Sequence, residues 1–240
     1  MQKFVFSFSF FFSSLFASFV GNCYDPAIIQ EGIFVPDTSP VQCKIEGVFD
    51  AIFCKKYSAK SELINGLRSK SFAKGGGAVF SFFERVEVYG YVFSGKNKIT
   101  MHAFSQKKSF SPKGNAYCAG GKVDLIEMKS FFLGFDVKYL FSKAHNSRKE
   151  KLKNSEWQIS SEIMYQSASF FPYLGITVNG ANLRLKKLQD FPFSRIEAQE
   201  KNHVGMVLGS SFSPRKKINF TVEGRFFQET ALSMFLQIQF

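Results

Sequence analysis

Beyond residue 20 the 240-residue chain lacks any uninterrupted apolar run of the roughly 20 residues a membrane-spanning helix requires, which excludes a helical membrane protein. It has no closely spaced Cys-x-x-Cys pair, and His102, His145 and His203 lie far from one another, so no zinc-binding pattern is present. Ser71-Phe72-Ala73-Lys74 has the Ser-x-x-Lys spacing of penicillin-recognising enzymes, yet no Lys-Thr-Gly or Ser-Asp-Asn accompanies it. Gly75-Gly76-Gly77 is not followed by Gly-Lys-Ser/Thr, which argues against a phosphate cradle and for a flexible loop entering a strand. His102 with Ser105 or Ser109 is the only local hint of a base and nucleophile, and closeness in sequence does not make a triad. No catalytic residue, metal ligand or cofactor is expected, and the chain is read as a non-enzyme.

Acidic residues are also scarce: 19 Asp and Glu against 31 Lys and Arg leave a formal charge of +12. Nucleic acid is the first partner such a balance suggests. The N-terminus argues against it. Lys3 precedes an apolar, Phe-rich stretch from Phe4 to Val20, broken by Ser7, Ser9, Ser13 and Ser14, which reads as a secretory signal with Ala17 and Ser18 supplying the small residues of a cleavage site. Residues 1–17 are assigned to the signal. The basic residues gather in segments that read as solvated loops near a lipid surface, among them Lys107, Lys108 and Lys113, then Lys143, Arg148, Lys149, Lys151 and Lys153, then Lys186 and Lys187.

What the chain has in quantity is Phe, Val, Ile and Tyr placed in alternation. Leu232, Met234, Leu236, Ile238 and Phe240 alternate with Ser233, Phe235, Gln237 and Gln239, and Ile218, Phe220, Val222 and Phe226 alternate with Asn219, Thr221, Glu223 and Arg225. Period-two patterns of this kind put one set on each face of a strand. Similar rows run through 203–208, 173–178, 157–166 and 131–141, with earlier strands at 117–126, 86–93, 76–83 and 44–54, giving ten. Ile99 to Phe104 and Leu63 to Phe72 would each add a strand or lengthen a hairpin, so twelve is the alternative. Alternation alone does not separate a membrane barrel from a soluble sandwich. The connections do: those on the side of the C-terminus are short, and those opposite, 55–75, 95–115, 142–153 and 185–202, are long and charged, as in outer-membrane barrels. The expected fold is an all-β, antiparallel transmembrane barrel over 44–240, preceded by an N-terminal periplasmic or plug segment at 18–43.

Several stretches, ordered along the chain, resemble the chlamydial major outer membrane protein family: Val20-Gly21-Asn22 with Asp25-Pro26 and Glu31-Gly32-Ile33; Glu84-Arg85-Val86-Glu87-Val88; Glu156-Trp157-Gln158 followed by Phe171-Pro172-Tyr173-Leu174-Gly175; and Thr221-Val222-Glu223 with Gln237-Ile238-Gln239-Phe240. The chain is much shorter than that family and has fewer cysteines. The resemblance implies a porin in the bacterial outer membrane, a multi-pass protein passing small hydrophilic solutes or ions with no chemistry.

The inward parity then supplies the pore-lining candidates Glu46, Asp50, Glu87, Lys122, Asp124, Asp136, Lys138, Glu162, Glu223 and Arg225. Their acidic excess predicts weak cation selectivity if water runs through. A small barrel, however, is nearly filled by its own side chains. The competing expectation is therefore a non-conducting structural or adhesive barrel that exposes basic loops. Expected partners are outer-membrane lipid and lipopolysaccharide, and the barrel-assembly machinery through the strand ending at Phe240; homo-oligomerisation is left open and nucleic acid is excluded. Four cysteines in an exported chain permit disulfides. Cys43 and Cys54 bracket the first strand about 35 Å apart, beyond disulfide reach. Cys23 with Cys43 is the favoured pair.

Overall fold

In the computed structural model, the structure describes residues 41–60, 64–82, 86–103, 106–128, 130–148, 150–167, 169–186, 188, 195–215 and 217–239. The signal, most of the 18–43 segment, Cys23 and Phe240 lie outside them. Twelve strands follow one another: β1 (Val41–Ala59), β2 (Ile64–Phe82), β3 (Val86–Ala103), β4 (Gln106–Phe110), β5 (Lys113–Met128), β6 (Phe131–His145), β7 (Lys151–Tyr165), β8 (Phe170–Lys186), β9 (Arg195–Glu200), β10 (Val204–Arg215), β11 (Ile218–Phe226) and β12 (Glu229–Gln239).

Ten of them close an antiparallel ring. Each pairs with its sequence neighbour, except that β3 pairs β5 and β8 pairs β10, and β12 returns to β1 through Lys44↔Gln239 to Lys55↔Glu229. The other two sit beyond this ring: β4 pairs with the end of β3, and β9 pairs with the ends of both β8 and β1. On that side one strand, β9, stands where β10, β11 and β12 stand below. The barrel therefore tapers.

Polarity shows which solvent surrounds the ring. Val88, Val92, Val137, Tyr139, Ile163, Leu174, Ile176, Leu208 and Leu236 point outward and are about half exposed, while charged and polar residues of the other parity are buried. A water-soluble barrel hides its apolar parity, and soluble monomers rarely expose apolar patches beyond a few hundred Å². Here the whole wall is apolar, so lipid is its solvent.

The pattern changes along each long strand. β1 has 19 residues, about 60 Å of extended chain, whereas a tilted spanning strand needs only about 9–11 residues. On β8, Leu174, Ile176 and Val178 face out, but further along Leu183 and Leu185 face in and Arg184 and Lys186 face out. On β3, Val88 and Val92 face out, and later Ile99 and Met101 face in. The strands leave the lipid as a membrane-type wall and continue as a water-soluble one with its own apolar core.

This corrects the sequence reading of 55–75, 95–115, 142–153 and 185–202 as long loops. Lys113, Lys143, Lys151, Lys153 and Lys186 lie in strands, and only short connections such as 60–63 and 146–150 separate the hairpin arms. Of the stretches 63–72 and 99–104, the described residues 64–72 and 99–103 lengthen β2 and β3 instead of adding strands. Gly75-Gly76-Gly77 is likewise the middle of β2. Gly75 and Gly77 face inward, where an added Cβ would collide with the rings of Phe93 and Tyr91 across the pair, so these glycines make room for lumenal aromatics.

Candidate functional site

The interior of the ring is the place where every sequence-derived candidate meets. Glu46, Asp50, Glu87, Lys122, Asp136, Lys138, Glu162, Glu223 and Arg225 are buried and point inward, and Asp124 is half-buried near the turn end. Strand alternation carries them there, since each occupies the parity opposite to the lipid-facing apolar row.

They are organised as ion-paired groups. Arg225 on β11 reaches Asp50 on β1 at 2.6 Å, Glu229 on β12 at 2.7 Å and Glu223 at 3.3 Å, and donates to Ser233 Oγ at 2.6 Å. Tyr173 donates to Glu223 at 3.0 Å over Gly209 of the intervening β10, linking β8 to this group. Nearer the turn end Lys44 pairs with Glu87 at 2.8 Å, and Ser81 donates to the same carboxylate. Tyr89 donates to Asp136, and Tyr91 to Glu46.

A second lysine-centred group lies toward the hairpin end. Lys55 is held by Glu156 at 2.7 Å, Glu200 at 3.1 Å and Glu229 at 3.4 Å, and Asn179 donates to both Glu156 and Glu200. Sequence reasoning did not select Lys55, Glu156, Glu200 or Glu229. Burial of Glu200 on β9, with the Glu156 and Glu229 carboxylates nearby, raises its pKa to about 8 against the pull of Lys55.

Above this group the interior turns apolar. Tyr57, Ile64, Leu67, Ile99, Met101, Phe110, Leu152, Leu183, Leu185, Leu188 and Ile196 form one buried cluster that closes the hairpin end. Ile99, Met101 and Leu185 are wholly inaccessible to water. Beside β4 and the 146–150 connection a cleft of about 810 Å³ opens, lined by Lys108, Asn146, Arg148 and Glu150, and its floor is Met101, Phe110 and Leu188 of the same cluster. The lower interior is filled as well, with Tyr89, Tyr91 and Phe93 stacked at centroid distances of 5.5 and 5.7 Å.

A water-filled channel would leave its lining side chains accessible to water. Instead Lys44, Ser71, Glu87, Lys122, Asp136, Gln158, Asn179, Ser211, Glu223 and Ser233 are at most 5% exposed, and they belong to all ten strands of the ring. While Asp136 Oδ1 is buried with no hydrogen-bond partner, the Arg225, Lys44 and Lys55 groups meet their charges within the protein. Pairing of this kind offsets the desolvation of each ion and fixes strand register, while adding little net stability.

A closed ten-strand antiparallel ring with an apolar outer wall and a polar interior answers to one class of protein. This is an outer-membrane β-barrel fold. Among solved structures, the chain is similar to the outer membrane protease OmpT from Escherichia coli, with a TM-score of 0.50 and 10% identity over 88% of this chain and 97% of that one. It also matches the outer membrane protein OprG from Pseudomonas aeruginosa, with a TM-score of 0.45 and 7% identity over 83% of this chain and 95% of that one. No family model matches the chain, and no curated protein matches it. Likeness at these identities shows the fold alone, so the protease activity of the first structure is not transferred.

The cysteines are placed by the same strands. Cys43 and Cys54 are free thiols, with Cys43 exposed on the outer face of β1, and Cys118 is buried. The expected Cys23–Cys43 pairing falls on a residue outside the described ones.

Proposed function

We propose that the protein is a closed, non-conducting outer-membrane barrel whose role is structural or adhesive and is exercised by its outer wall. The observation that carries this reading is the apolar cluster around Leu67, Ile99, Met101 and Leu185, which fills the bore at the hairpin end above two buried ion-paired groups. Hydrophilic solutes would have to displace packed leucines and then break desolvated ion pairs, and both are costly. The packed interior of the described residues, on this reading, stands against passive diffusion, which the likeness to chlamydial porins implies. On this reading any kinship with that family is that of a shortened member which keeps the wall and not the pore, and the acidic interior sets no ion selectivity.

Conductance in planar bilayers tests the proposal. Protein whose folding has been verified by heat-dependent gel mobility is expected to give no single-channel steps. Reproducible steps from such protein would overturn the reading and restore diffusion through the lumen.

A further inference from the structure

The outer wall carries a feature that its own fold does not account for. Just past the last outward aromatic or aliphatic residue on successive strands comes a basic one: Lys70 after Phe72 on β2, Lys96 after Val92 on β3, Lys113 after Tyr117 on β5, Lys143 after Phe141 on β6, Lys153 after Trp157 on β7 and Arg184 after Val178 on β8. These positions are exposed or half-exposed and belong to the lipid-facing parity. Together they make a collar around most of the barrel.

Strand register sets the cations directly against each other. Lys70 lies opposite Lys98, Lys96 opposite Lys113, Lys143 opposite Lys153, Lys153 opposite Arg184, Lys151 opposite Lys186, and Lys186 opposite Arg195. Like charges directly opposite destabilise a sheet. Among the described residues of this collar the acid is Glu197, shared by Arg195, by Arg184 at 3.2 Å and by Lys60 at 3.7 Å. Such oppositions recur at six residue pairs on five strand pairs, and an anion lying against them would relieve the repulsion.

Height identifies that layer. At roughly 3.3 Å per residue, Lys70 and Lys143 stand about 7 Å and Lys96, Lys113 and Lys153 about 13 Å along the tilted strands beyond the last outward apolar residue, with Arg184 higher at about 20 Å. The polar headgroup zone is about 5–8 Å deep on each side of the hydrocarbon. At the collar's end the strands run on past the lipid-facing rows as tall hairpins, whereas at the other end β1 begins, β12 finishes and the hairpins turn back directly; in this class the tall side faces outward, so the collar meets the outer leaflet.

We propose that the collar is a binding surface for the phosphates of outer-leaflet glycolipid, the lipid A portion of lipopolysaccharide. The proposal rests on the reading of the chain as an outer-membrane barrel acting through its outer wall. Lysines and arginines spaced by neighbouring strands, about 4.8 Å apart, can share a phosphate between two or three chains. The collar cations are then lipid-facing, segregated from the acid-rich interior.

The test uses the full mature chain refolded in phosphatidylcholine vesicles, in vesicles also containing bisphosphorylated lipid A, and in vesicles containing lipid A stripped of its phosphates. Bisphosphorylated lipid A is expected to raise the heat-induced unfolding midpoint by several degrees and to remain bound through purification, and the stripped lipid to do neither. The triple variant Lys143→Gln, Lys153→Gln, Arg184→Gln should retain lipid A roughly a hundredfold less well, at about one unit of lipid-surface attraction per lost cation. In phosphatidylcholine alone the same variant should unfold at the wild-type temperature or above it, because three mutually repelling charges are gone. No lipid A shift in the wild type, an equal shift in the variant, or an equal loss of stability in both lipids would each overturn the proposal. Capture on heparin without any lipid A response would also overturn it, in favour of a polysaccharide-binding face. Channel steps in the same bilayers would sink the closed-lumen reading and leave the collar's response intact, so the two failures are distinguishable.

Discussion

Replacing Arg225 by Met isolates what the buried pairing contributes. The guanidinium serves Asp50, Glu223, Glu229 and Ser233 from within the lumen, with its side chain 4% exposed. Methionine matches much of its length and supplies no charge, so three carboxylates lose a shared cation without access to bulk water. Removing one partner of a buried pair costs about 3–5 kcal/mol. With a urea dependence near 2 kcal/mol per M, the unfolding midpoint should fall by about 1.5–2.5 M. Emission of Trp157, the single tryptophan, reports the transition because it leaves the lipid face on unfolding. Adding Asp50→Asn, Glu223→Gln and Glu229→Gln to Arg225→Met should return most of the loss, since the cost lies in unmatched charge. A midpoint change under about 0.5 M with an unchanged slope would refute the claim that these ions are desolvated.

Two further expectations bear on the interior. Gly209→Val places a side chain in the Tyr173 ring, which cannot move without giving up its 3.0 Å hydrogen bond to Glu223; a loss of about 2–5 kcal/mol is expected in the same urea assay, partly recovered by adding Tyr173→Leu. Glu200 stands on β9 beyond the lipid, and burial holds its pKa near 8, above the ordinary value of 4.5. The folded state then binds this proton more tightly than the unfolded chain, so stability should fall as pH rises from about 4.5 and level off past about 8. Glu200→Gln should flatten that slope in urea midpoints taken from pH 5 to 9, and a slope unchanged by the substitution would assign it elsewhere.

The lipid-facing half of the barrel was legible because one alternation governs each strand there. Rows such as Phe131 to Phe141 and Leu232 to Ile238 are lipid-exposed as their period requires, and the opposite parity delivers Asp50, Asp136, Glu223 and Arg225 to the interior. The upper half was not legible by the same rule. On β8 the apolar set passes from even positions, ending at Val178, to odd ones at Leu183 and Leu185, because the surroundings change from lipid to water; a single-phase pattern stops at that point and reports a loop. Lys55 was missed for a related reason. The irregularity after Ile52 shifts the inward parity of β1 from even to odd residues, so a strictly alternating count places Lys55 on the outer face. Glu156 sat just before the supposed start of a strand that in fact begins at Lys151, and Glu229 fell in a supposed turn where β12 begins.

The doubled seam on β1 has a bearing on assembly. One edge of this strand is matched by β12 from Lys44 to Lys55 and, without an intervening stretch, by β9 from Tyr57 to Ala59; the same edge-sharing occurs on β8, between β10 below and β9 above. Most of each edge is thereby taken and little is left as a template for a foreign strand, the usual route by which sheets aggregate. A nascent chain lacking its last three strands would therefore already possess a short clasp, β8–β9–β1, holding the two sides of the open sheet in register. The C-terminal hairpin then has a slot of fixed width to enter, and association with another copy is confined to the faces of the wall.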